Sequence, residues 1–111
     1  ELLRDVPGVS FQSEPSGDYY SNFWLTCIVI DPEKAGTDRE KIRLALDDEL
    51  IEARPLWKPM HLQPVFADCP AFVNGTSEAL FNNGLCLPSG SNITGDDRKR
   101  IEAVLRREFR I

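Results

Sequence analysis

Phe23-Trp24-Leu25-Thr26-Cys27-Ile28-Val29-Ile30 is the stretch whose reading decides the fold. Aromatic and β-branched residues crowd it, and both of its alternating sets are apolar, as in a strand covered on two faces. It predicts a central strand over residues 23–30. Asp31-Pro32 ends that strand, because proline has no amide to continue a ladder.

Around this strand the chain divides into short elements. Residues 1–4 read as the end of a helix, punctuated by Pro7-Gly8. Residues 9–12 fit a short edge strand, and the polar residues 14–21 fit a loop. Thr37-Asp38-Arg39-Glu40 has the form of a capping box, with the Thr37 hydroxyl bonding a first-turn amide and Glu40 reaching back. A helix is expected from there to about Leu50, with Ile42, Ala45, Leu46 and Leu50 on one stripe. Residues 51–54 suggest another short strand. Three prolines within residues 54–64 exclude a regular helix there. Thr76 or Ser77 opens a short helix through Phe81, and Gly84 suits its C-terminal cap. Leu85-Cys86-Leu87 reads as a strand stopped by Pro88. Thr94, with Asp97 three residues on, caps a last helix whose buried stripe is Ile101, Val104, Leu105 and Phe109. The succession predicts an α+β fold, a small, mainly antiparallel sheet flanked by helices.

The chain has 111 residues, which fits one domain over 1–111. Hydrophobic residues make up 41% and charged residues 28%, ordinary for a folded globular chain. No apolar run is long enough to span a membrane, and no basic segment followed by an apolar one opens the chain. A net charge of −5 opposes binding to nucleic acid or an anionic membrane. Three cysteines without a C-x-x-C motif point to a reducing, cytoplasmic setting rather than a disulfide framework or a zinc site. Glu1 as the first residue, with Met60 the only methionine, predicts a piece of a longer protein.

Complete catalytic sets are missing from the residues alone. His61 is the only histidine, and Ser89 or Ser91 could partner it, but no G-x-S-x-G elbow surrounds either serine. Pro88-Ser89-Gly90-Ser91 lacks the lysine of a P-loop and fits a strand-to-helix turn as well as a phosphate cradle. Asp47-Asp48-Glu49 reads as a solvated helix end. Arg98, Lys99, Arg100, Arg106, Arg107 and Arg110 read as a solvated helix face favoured by the helix dipole.

Arg54-Pro55-Leu56-Trp57-Lys58-Pro59-Met60-His61-Leu62-Gln63-Pro64-Val65-Phe66 is the unusual segment. Its prolines stiffen the backbone and reduce the entropy lost on ordering. Trp57 and Phe66 offer flat apolar faces, Arg54 and Lys58 offer cationic donors for phosphate or carboxylate, and His61 can exchange a proton near neutral pH. Two readings fit these residue types: a binding loop, or a proline-rich loop whose aromatic side chains plug the core.

This loop resembles the C-terminal domain of the DegT/StrS-type sugar aminotransferases, pyridoxal phosphate (PLP)-dependent enzymes of the aspartate-aminotransferase fold, fold type I. Ser21-Asn22-Phe23-Trp24-Leu25-Thr26 is similar to that family's entry into the domain. Ser77-Glu78-Ala79-Leu80-Phe81-Asn82-Asn83-Gly84-Leu85-Cys86-Leu87-Pro88-Ser89-Gly90-Ser91 is similar to its second signature. The form of residues 54–61 looks most like enzymes that aminate UDP-linked 4-keto-6-deoxy sugars for bacterial surface glycans.

The resemblance implies PLP held on a lysine of a larger preceding domain, glutamate as amino donor, and a homodimer. Lys34, Lys41, Lys58 and Lys99 lie outside the family's cofactor-lysine context, so the chain by itself is expected to carry no cofactor, no metal and no catalytic residue. Its implied role is substrate recognition. His61, Trp57 and Lys58 would line the sugar cleft, and Arg54 would support the loop or the anionic nucleotide. Without the large domain, an apolar face should be left exposed. The competing expectation is a stand-alone binding or regulatory module that docks a partner through residues 54–66. A hydrolase using Ser89 and His61 would require those two side chains to meet.

Overall fold

A computed structural model describes residues 1–111. Its strands are β1 (Val9–Phe11), β2 (Thr26–Ile30), β3 (Arg54–Pro55) and β4 (Gly84–Leu87). They form one sheet in the order β1-β2-β4-β3, with every pairing antiparallel. The helices are α1 (Pro32–Ala35), α2 (Arg39–Asp48), α3 (Thr76–Asn83) and α4 (Gly95–Phe109). The α+β architecture expected from the sequence is therefore present, and β2 is an interior strand.

The core lies on one face of the sheet. Ile28 and Ile30 of β2 and Leu85 and Leu87 of β4 point into it, where they meet Ile42 and Leu46 of α2 and Val104, Leu105 and Phe109 of α4. Each such side chain taken fully out of water stabilises the fold by roughly 1.5–3 kcal/mol. Side chains alternate along a strand, so Cys27 and Cys86 point to the other face. That face of β2 is only half-buried at Cys27 and Val29, so the expectation of two covered faces is met on one side.

β2 starts three residues later than expected. Phe23 takes a left-handed φ of 50°. Its amide donates to Ser21 Oγ at 3.2 Å, and the Trp24 amide donates to Asn22 Oδ1 at 3.1 Å. Side-chain acceptors two residues back thus take the amides a ladder would need. Residues 2–5 form turns rather than a helix end, although Leu3 and Val6 reach the core.

The cap of α2 is Asp38, not Thr37. Asp38 Oδ1 accepts from the amides of Glu40 and Lys41, both at 2.9 Å. Thr37 is buried, and its hydroxyl has no hydrogen-bond partner. At the other end Leu50 leaves the predicted stripe. It takes a left-handed φ of 59° and is 92% exposed, and Ile51 is buried instead. One helical turn, α1, lies outside the expected elements. The Asp31 carboxylate caps it, and Gly36 closes it at φ 68°.

α3 runs two residues further than expected, and Gly84 follows it in an extended conformation, with φ −95°. Glycine is needed there for space rather than for a left-handed turn, because a Cβ would overlap the Leu80 carbonyl and the Leu56 side chain. The capping box at Thr94 is present in full: the Asp97 amide donates to Thr94 Oγ1 at 3.2 Å, and the Thr94 amide donates to Asp97 Oδ2 at 2.9 Å. No helix is long and apolar enough to cross a membrane.

Candidate functional site

Residues 54–66 begin as β3 and then leave the sheet. Prolines at 55, 59 and 64 block continuous helix or ladder. The segment instead makes two short 3-10 turns, Met60–Leu62 and Pro64–Phe66. The Leu56 amide donates to the Gly84 carbonyl at 3.3 Å and ties the segment to β4, and Gln63 Nε2 donates to the Lys58 carbonyl at 3.0 Å within it.

The fold brings three distant stretches of chain together around this loop. The rings of Trp24 and Trp57 lie 6.4 Å apart at 38°, a tilted aromatic pair. The Thr26 amide donates to Ser89 Oγ at 2.7 Å, and Ser89 Oγ donates to the Leu87 carbonyl at 2.8 Å. His61 Nε2 lies 2.8 Å from Glu78 Oε1 on α3.

Trp57 does not plug the core. Its side chain is 66% exposed, as are Met60 at 62% and Val65 at 77%. Trp57 and Arg54 border a cavity of about 550 Å³ with Leu25, Phe81, Cys86 and Ser89. That volume falls in the range of small-molecule sites. The Arg54 guanidinium is exposed and held by Glu52 Oε1 at 2.5 Å.

The four predicted side chains do not all converge. His61 borders a separate depression of about 270 Å³ with Met60, Phe66, Cys69 and Phe72. Lys58 is exposed and lines neither cavity. Glu78, outside the expected site residues, fixes the Nε2 edge of His61. Its position in Ser77-Glu78-Ala79, one turn into a helix, carried no local signal of a partner 17 residues upstream.

Other candidates resolve plainly. Ser89 Oγ is engaged by backbone groups and His61 Nε2 by Glu78, so no nucleophile–base pair forms and the hydrolase reading fails. Residues 88–91 are the strand-to-helix turn. Glu49 approaches Arg107 at 3.5 Å, while Arg98 and Lys99 pair with Glu102 and Asp96. Arg98, Lys99 and Arg107 of the basic cluster thus sit in exposed ion pairs, which contribute little to stability. No group of three or more His, Cys, Asp or Glu side chains is placed to hold a metal ion.

The lysines do not fit a PLP site. Lys34, Lys41 and Lys99 are exposed and each pairs with an aspartate three residues before it, and Lys58 is exposed on the loop. A lysine that carries a cofactor as an imine must instead be sheltered and free to lose its proton.

Residues 1–106 match the model of the DegT/DnrJ/EryC1/StrS aminotransferase family. The chain is 41% identical over 107 residues to the Bacillus subtilis protein EpsN, whose name places it among pyridoxal phosphate-dependent aminotransferases; the match covers 93% of this chain and 26% of that protein. It is 30% identical to the GDP-perosamine synthase of Vibrio cholerae, over 98% of this chain and 30% of that enzyme. Among solved structures, DesI, determined in the presence of its TDP-sugar product, superposes with a TM-score of 0.75 at 27% identity, over 95% of this chain and 27% of DesI. The chain therefore spans between a quarter and a third of the length of these relatives. A match running almost end to end, through the loop, the Trp24 entry and the α3–β4 junction, makes this chain a member of the DegT/DnrJ/EryC1/StrS aminotransferase family.

Proposed function

We propose that this chain is the C-terminal, substrate-facing domain of a PLP-dependent aminotransferase. The full-length enzyme moves an amino group from glutamate to the keto carbon of a 4-keto-6-deoxy nucleotide sugar, with a UDP sugar as the first substrate to test. It works in the cytoplasm as a homodimer, on the way to a surface glycan. Names among the relatives carry GDP and TDP sugars, which supports a nucleotide sugar as the substrate class.

The observation that carries this reading is the exposure of Trp57 at a cavity edge beside Arg54. The Trp57 face can stack on a base or sugar ring, whose flat apolar side needs no directional partner. Arg54 offers a two-pronged donor to a diphosphate once it exchanges Glu52 for the ligand, and Lys58 adds a mobile point charge. His61, fixed by Glu78 at Nε2, can present Nδ1 to a sugar hydroxyl. These residues bind and orient the substrate. No step of the amino transfer is assigned to them, because the lysines of this chain do not fit PLP.

The full-length protein tests the reading. It should show the absorbance band of lysine-bound PLP and convert a UDP-4-keto-6-deoxy sugar to an amino sugar with glutamate. A PLP band with turnover only of GDP or TDP sugars would correct the nucleotide. A PLP band with no turnover of any nucleotide sugar would sink the substrate class. No band and no turnover would return residues 54–66 to the role of a partner-docking surface.

A further inference from the structure

Cys27 and Cys86 are direct partners across the β2–β4 ladder. Their Sγ atoms lie 3.6 Å apart, and both thiols are free. In an antiparallel ladder, opposite Cα atoms sit ~4.5–5.5 Å apart, inside the ~4.4–6.8 Å that a disulfide spans. Closing the remaining gap to a bond of about 2.0 Å therefore calls for side-chain rotation rather than strand movement.

The pair is also reachable. Both side chains point away from the helix-covered core. Cys27 is half-buried and borders an open, aromatic-lined cavity of about 590 Å³ with Phe11, Tyr19 and Phe23. Cys86 is buried, borders the Trp57 cavity, and faces Arg54 across the β3–β4 ladder. The charge of Arg54 is taken up by Glu52.

We propose that Cys27 and Cys86 form a reversible dithiol–disulfide site, closed by a low-molecular-weight disulfide such as glutathione disulfide, that ties β2 to β4 beside Arg54. The order of attack follows from access, since Cys86 is buried and Cys27 only half-buried; burial, with Cys27 beside it, also pushes the Cys86 thiol up. Cys27, the more accessible thiol, attacks first: its thiolate displaces one glutathione thiolate and leaves a mixed disulfide. Cys86 then loses its proton to solvent, attacks the Cys27 sulfur and displaces the second glutathione. Two protein thiols become one disulfide, the S–S bond of the oxidant becomes two glutathione thiols, and electrons balance. Cys69 is exposed and supplies an internal comparison, since it should stop at the mixed disulfide.

The test uses the native full-length protein. It is incubated with glutathione disulfide, its remaining thiols are alkylated, and its peptides are mapped by mass spectrometry. The expected result is a Cys27–Cys86 cross-linked peptide two hydrogens lighter than the free pair, together with a Tm that rises on oxidation and falls back with dithiothreitol. Cys27→Ser should remove both the cross-link and the Tm shift. Glutathione retained on Cys27 with Cys86 alkylated would overturn the proposal. So would alkylation of both cysteines in protein whose Cys69 has reacted. The site stands on β-sheet geometry alone, so its failure would leave the aminotransferase reading untouched, and the reverse also holds.

Discussion

His61 Nε2 and Glu78 Oε1 meet at 2.8 Å, joining the proline-rich loop to the third helix. The contact fixes which edge of the imidazole faces Glu78. Glu78→Gln keeps the shape but replaces a charged acceptor with a neutral amide. It should lower kcat/KM of the full-length enzyme about tenfold, the size of one charge-assisted bond weakened at the site. Tm should stay near wild type, because Glu78 is 41% exposed. An equal loss of Tm and activity would mark the pair as merely structural.

Asp38 and Thr37 give opposite predictions, although the sequence pattern favoured Thr37 as the cap. Asp38→Ala should cost about 1 kcal/mol, as loss of an N-cap does. Thr37→Val removes a buried hydroxyl that has no partner and should be neutral or stabilising by up to ~1 kcal/mol. Urea unfolding of the two variants decides the matter, and a larger loss for Thr37→Val would reverse the assignment.

The capping carboxylates also set an acid limit. Hydrogen bonds from the Lys41 amide to Asp38, and from Thr94 to Asp97, hold both carboxyls below the ordinary 3.8. A depressed carboxylate stabilises the fold above its unfolded pKa, and that contribution is lost as pH falls through the lower folded value. Tm should therefore hold steady above about pH 5 and fall as pH drops below about 4. Thr94→Ala, which removes the first of the bonds to Asp97, should flatten that acid dependence.

Gly84→Ala places a methyl against the Leu80 carbonyl, which is backbone and does not yield as a side-chain tip does. Overpacking of this kind costs about 1–3 kcal/mol. The Leu56 amide bonds the Gly84 carbonyl, so the strain should also reach the loop and raise KM for the nucleotide sugar. Unchanged stability and KM would contradict that linkage.

Regular elements were legible in the sequence where apolar spacing carries the information. Ile28 and Ile30, Ile42 and Leu46, and Val104, Leu105 and Phe109 all reach the core as their periods imply. The errors fall where local polar groups or a single backbone angle override the period. Ser21 and Asn22 capture amides that the apolar run at Phe23 and Trp24 seemed to offer to a ladder. Leu50 keeps its helical spacing but turns left-handed and points outward. The candidate site residues stand out through composition and resemblance. Their division between two cavities was not legible, because the path of a proline-rich loop depends on distant contacts such as that of His61 with Glu78.

Phe23, Trp24, Trp57, Tyr20 and Phe72 are all more than half exposed. A protein limited to these 111 residues should therefore self-associate weakly through these exposed apolar side chains. Sedimentation velocity over a concentration series should show the average mass rising, and a strict monomer at the highest concentration would count against this.

The most direct test of substrate recognition by the loop is kcat/KM of His61→Ala in the full-length enzyme, measured with glutamate and the nucleotide sugar it turns over best. A charge-assisted hydrogen bond to the substrate is worth roughly 1.5–3 kcal/mol, which predicts a loss of about 10- to 150-fold with PLP binding unchanged. A kcat/KM equal to wild type would show that His61 does not touch the substrate, and the recognition role assigned to residues 54–66 would lose its central residue.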